Sequence, residues 1–178
     1  MSALFNDDTS IFGNYARIIK KFSSTSDQES EEWKVSNGID SAVTEKPFGT
    51  YIDCLYTGAA IGLAKNAKVI QTDFSSSEKK IRANILSSAW RNRSKDFFYL
   101  YRLMILTDPD LPLTKDERVK KAFSDVPESL VPIEFNYFLC YAFGGLVEME
   151  KMFDGVHDYK EFSDMISSLV LDYQGNEE

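Results

Sequence analysis

The spacing of the apolar residues is the feature that most constrains this chain. Almost everywhere they recur at steps of three and four, the period that lines one face of an α-helix, and seldom at the alternating step of a strand. Ile11, Phe12, Tyr15, Ile18, Ile19 and Phe22 make the first such stripe, with Asp8 or Thr9 placed to cap the start of a helix. A second stripe runs through Phe48, Ile52, Leu55, Ala59 and Leu63, and the helix should end near Asn66. Pro47 suits its opening, because a missing N–H costs nothing in a first turn. Gly58, Ala59, Ala60 and Gly62 keep this helix thin, so that another can approach closely.

Further along, Val69 to Phe74 reads as a connecting loop, and Ser75-x-x-Glu78 has the capping-box pattern. It announces a third helix running to about Asn92. A fourth, Ser94 to Thr107, carries Phe97, Phe98, Leu100, Tyr101, Met104 and Ile105, and Asp108-Pro-Asp-Leu-Pro breaks the chain after it. Thr114-x-x-Glu117 repeats the capping logic and opens a short basic helix with Val119, Ala122 and Phe123, closed by Pro127. Pro132 starts a long apolar helix that continues to Phe153. Gly144-Gly145 inside it costs up to about 1 kcal/mol per glycine relative to alanine, which points to either a kink or a tight helix contact. A last helix is expected from Asp158 to Tyr173.

For 178 residues, surface scaling allows about 70% of the unfolded surface to be buried, enough for one core without staples. The expectation is an all-α fold: a compact single-domain bundle of six or seven helices spanning 1–178. The acidic, serine-rich stretch at 23–44 is read as a linker or loop.

Met1 to Ser10 has neither the basic nor the apolar region of a targeting segment. The uncharged runs from Asp53 to Lys65 and from Glu134 to Glu148 fall short of the ~20 apolar residues of a bilayer crossing. The sequence therefore reads as cytoplasmic, without a membrane partner. Cys54 and Cys140, embedded in apolar runs with no motif spacing, read as buried reduced thiols. In that compartment the sequon Asn92-Arg93-Ser94 is accidental.

Motifs that carry chemistry are missing: there is no glycine-rich phosphate loop, Cys-x-x-Cys, His-Glu-x-x-His or Gly-x-Ser-x-Gly. One histidine, His157, cannot supply the two Glu-x-x-His motifs of a di-iron bundle. Asp154, His157, Asp158 and Glu161 could share a helix face and hold a divalent ion, but a capping Asp158 and an exposed His157 explain them more simply. Asp53 reads as a solvated or ion-paired carboxylate. No catalytic residue, metal or cofactor is assigned.

The net charge of −8 conceals a polarity: seven basic residues against Asp96 between Lys79 and Arg102, and nine acids against two lysines from Glu148 onward. On the expected third helix, Lys79, Arg82, Leu86, Trp90 and Arg93 share one side, beside a stripe of Ile81, Ile85 and Ala89. Lys79, Arg82, Trp90 and Arg93 are thus the candidate site for a protein partner or a phosphate. In the competing reading Trp90 and Leu86 pack inside, and the arginines cover the core and pair with acids of the last helix.

From these features the expected function is that of a non-catalytic helical protein-interaction subunit or regulator of a cytoplasmic multiprotein assembly. Oligomeric state is left open. The alternative is a nucleic-acid-associated accessory protein, of a restriction- or defence-type machine, using the basic 79–102 face. An enzyme with a carboxylate site at Asp53 or Asp154 to Glu161 comes third.

Overall fold

The computed structural model describes residues 3–24, 46–70, 81–156 and 160–167. Most of the expected 23–44 loop, the Ser75-x-x-Glu78 box, Lys79, His157 and Asp158 lie outside the described residues. The fold is mostly helical. Its elements are β1 (Thr9–Phe12), α1 (Gly13–Phe22), α2 (Tyr51–Ala64), β2 (Arg82–Ile85), α3 (Ser87–Asn92), α4 (Ser94–Thr107), α5 (Lys115–Phe123) and α6 (Val131–Met152). Residues 160–167 are helical as well.

The small sheet is the main departure from the all-helical expectation. β1 and β2 pair antiparallel, Ile11 opposite Ala83 and Phe12 opposite Arg82. Ile11, Ala83 and Ile85 point into the core, while Ser10, Arg82 and Asn84 point out, the alternation of a half-buried ribbon. The first helix therefore starts at Gly13, not near Asp8 or Thr9. Gly13 has φ +63°, a turn from extended to helical backbone that a side chain would strain, and its N–H donates to the Ile81 carbonyl at 3.0 Å. Similarly, among the described residues the expected third helix is present as α3, because its middle is the strand β2.

α2 and α6 form the centre of the molecule. Their contact needs glycine: a Cβ on Gly145 would overlap the carbonyl oxygen of Gly58, and one on Gly62 that of Tyr141. Gly144-Gly145 thus marks a tight contact, and α6 runs through it as one helix. α2 ends in a Schellman motif, with Ala67 N–H donating to Gly62 O (2.8 Å), Asn66 N–H to Leu63 O (3.2 Å), and Asn66 in the left-handed region at φ 48°. The helical stretch Glu128–Met152 is long and apolar enough to cross a bilayer by length and composition alone. Some 56% of its most apolar window is nevertheless buried within the molecule, as befits a core helix.

At one end of α6 an aromatic cluster closes the core. Phe5, fixed in a short 3-10 turn (Ala3–Phe5), lies 5.6 Å from Trp90, 5.4 Å from Phe97 and 5.3 Å from Phe138, measured between ring centroids. Cys54 and Cys140 are both buried. Burial pushes the Cys54 thiol up to about 12, leaving it a poor nucleophile at neutral pH.

Candidate functional site

Of the four residues singled out by the sequence, the three that are described do not share one exposed basic face. Lys79 lies outside the described residues. Arg82 is exposed on β2, where its guanidinium donates to Ser10 Oγ at 2.7 Å and sits over the Phe12 ring. Trp90 is fully buried; its indole N–H donates to Thr9 Oγ1 at 3.0 Å, and its ring packs on Phe97. Leu86, expected beside it, is 60% exposed. Arg93, at the junction of α3 and α4, makes no pair with an acid of the last helix among the described residues, where the competing reading placed it. Its guanidinium instead lies 3.2 Å from Asp53 and 3.3 Å from Asp96, over the Tyr56 ring.

Asp53 therefore is an ion-paired carboxylate. It also sits in the first turn of α2, accepts from the Thr50 hydroxyl at 2.6 Å and favours the positive end of that helix. Asp154 and Glu161 are exposed.

Two polar groupings were not anticipated. In the first, Lys68 donates to Asp108 at 3.2 Å and to Tyr137 at 3.3 Å, and lies 2.6 Å from Asp110. Tyr137 also donates to Asp108, whose side chain is completely buried, and the Asp110 N–H donates to it at 2.9 Å. Burial alone would raise the Asp108 carboxyl, but these hydrogen bonds outweigh it and hold the group below the usual carboxylate range. Burial and the neighbouring Asp108 push the Tyr137 phenol up to about 12. Lys68, despite some desolvation, is held above its ordinary value by its acidic partners. Around the same turn, Arg118 donates to four backbone carbonyls: Leu113 at 3.1 Å, Ile105 at 3.3 Å, Asp108 at 2.5 Å and Leu111 at 2.7 Å. The grouping is a clasp on the Asp108-Pro-Asp-Leu-Pro break, and every member is engaged with another.

The second grouping opens to solvent. Two clefts, of about 380 and 240 Å³, flank the end of α5 and share Tyr101, Ser124, Asp125 and Val126. The capping box that starts α5 is complete: the Thr114 N–H donates to Glu117 at 2.8 Å, and the Glu117 N–H donates back to Thr114 Oγ1. This fixes the helix against the break before it. In the larger cleft Val126, Pro127 and Leu130 form apolar walls, and Glu134 of α6 lies within. Glu134 accepts from the buried Tyr101 hydroxyl at 3.0 Å and pairs with Lys121 at 2.7 Å. Burial first, then the Glu134 carboxylate, push the Tyr101 phenol well above its ordinary value, so it remains a donor. In the smaller cleft Arg102 lies over the Phe123 ring, 5.2 Å from its centroid.

Large apolar side chains stand exposed on α5 and at the start of α6, of which Phe123 lines the smaller cleft and Leu130 the larger. Val119 and Phe123 are one turn apart on α5, at 52% and 65% exposure; Leu130 and Ile133 follow at the start of α6. Single exposed apolar residues are ordinary, whereas several gathered around a cleft mark a surface fit for contact. Comparison of the chain with protein-family models, curated proteins and solved structures finds no match.

Proposed function

We propose that the protein is a non-catalytic interaction subunit or regulator of a cytoplasmic multiprotein assembly, and that it docks through the surface formed by α5, the start of α6 and the clefts beside them. The observation that carries this reading is a pair of adjoining clefts, one with exposed Leu130 beside the buried Glu134 carboxylate and the other walled by exposed Phe123. Interface centres combine such apolar and aromatic anchors with a few placed polar groups. The reactive groups favour the same reading: the Cys54 thiol is inert, and Asp53 and Asp108 are held in structural pairs.

A second reading keeps the nucleic-acid partner. Arg82, Arg91, Lys95 and Arg102 are exposed, and Arg91 and Lys95 make no ion pair among the described residues. Such groups would neutralise phosphates, with binding that weakens steeply as salt rises. The neutralisation of Arg93 by two aspartates and the burial of Trp90 weigh against it.

Affinity capture with the full chain tests the first reading. Phe123→Asp and Leu130→Asp alter exposed positions, so both variants should melt like the wild type. Each should lose proteins that the wild type retains. Retention of the same proteins by all three would refute the docking surface.

A further inference from the structure

The larger cleft beside α5 has a chemical asymmetry that specifies what could enter it. Val126, Pro127 and Leu130 give it apolar walls, and Glu134 among its charged groups is only 7% exposed. An ionised carboxylate offers about four acceptor positions, and in the described residues two are taken, by Tyr101 and Lys121. These two donors differ. Tyr101 is rigid and buried in the core, whereas Lys121 reaches in from α5 on a flexible stem with 33% of its side chain exposed. The Lys121 ammonium can therefore withdraw into water, while the Glu134 carboxylate cannot follow and needs a replacement partner. Glu117, Asp125 and Lys120 also line the cleft, so that with Glu134 and Lys121 the acids outnumber the lysines three to two. The carbonyl end of α5 adds negative potential on the same side.

Resting on the interaction reading above, we propose that this cleft anchors a basic amphipathic peptide segment of the protein partner. An arginine of that segment takes the place of Lys121 on Glu134, and its apolar neighbours cover Val126 and Leu130. The planar guanidinium meets both carboxylate oxygens at once, which an ammonium does less well, and this favours the exchange. The net charge of −8 on the chain speeds encounter with a basic segment.

Short synthetic peptides with serine flanks test the proposal by calorimetric titration of the full chain. One has a Leu-Arg-Leu centre, a second carries citrulline in place of arginine, and a third carries glutamate there. Citrulline keeps the shape of arginine and removes its charge. The arginine peptide is expected to bind about tenfold or more tighter than the citrulline peptide. Glu134→Gln keeps an acceptor for Tyr101 and should abolish that preference, while Lys121→Ala should tighten the arginine peptide. Thermal melts establish that both variants fold, and either one alone suffices for the test. Equal affinity for the arginine and citrulline peptides, preference for the glutamate peptide, or no binding by any peptide would overturn the proposal. An unchanged preference in Glu134→Gln, or no tightening in Lys121→Ala, would do the same. The two readings fail separately: partner capture lost in Phe123→Asp but kept in Glu134→Gln refutes the arginine anchor alone, whereas capture indifferent to both refutes the surface.

Discussion

Asp108 has no exposed side-chain surface, yet it remains ionised because Tyr137, Lys68 and the Asp110 amide all donate to it. Since its folded pKa lies below the unfolded one, its stabilising contribution is complete above roughly pH 4 and is lost as pH falls through the lowered folded value. Lys68 acts in the opposite window: its raised pKa gives stability that is complete below about pH 10 and lost as pH rises through the folded value. Asp108→Asn should cost about 2–3 kcal/mol near neutrality and flatten the acid limb of a plot of melting temperature against pH. A variant whose acid limb matches the wild type would show that Asp108 carries no such linkage. Arg118→Ala should cost about 3 kcal/mol, because four carbonyls lose a charged donor; urea unfolding would read this directly. None of this clasp was legible in the sequence. Lys68, Asp108 and Tyr137 come from segments far apart, and only the fold brings them together, whereas the pairing of Asp53 could be expected because lone acids are seldom left buried.

Local signals succeeded where one period or one cap decided the element. Ser94–Thr107 forms as a helix between the positions expected, and Thr114-x-x-Glu117 opens α5 through reciprocal hydrogen bonds. Thr114→Ala should therefore cost about 1 kcal/mol, visible as faster amide exchange confined to the first turns of α5. The failure at β2 has an equally local cause. Ile81 and Ile85 are four apart, a step that is even and also nearly one helical turn, so it fits a strand as well as a helix. What decided between them was the distant partner Thr9–Phe12, and with it went the expected shared face of Arg82, Trp90 and Arg93. Gly144-Gly145 was readable as a cost requiring an explanation, but the partner that supplies it, the Gly58–Gly62 turn of α2, is visible only after folding. Gly145→Ala should lower stability by about 3 kcal/mol through overlap with the Gly58 carbonyl. A melting temperature equal to that of the wild type would contradict the close contact.

The whole molecule sets a rigid helical centre, α2 against α6, beneath a surface that differs from place to place. On the β2–α3 side the aromatics are consumed by the core, and Arg93 is consumed by Asp53 and Asp96. On α5 and at the start of α6 apolar side chains instead remain exposed, Leu130 among them beside the buried Glu134 carboxylate. On the proposed reading, docking falls to α5 and the start of α6, and any phosphate contact to Arg82, Arg91, Lys95 and Arg102. Amide hydrogen exchange of the full chain, free and with a captured partner, tests that assignment most directly. The account predicts that exchange slows across α5 and 124–134, with β2 and α3 unaffected. Protection confined to 82–95, with α5 and 124–134 exchanging as in the free protein, would contradict it.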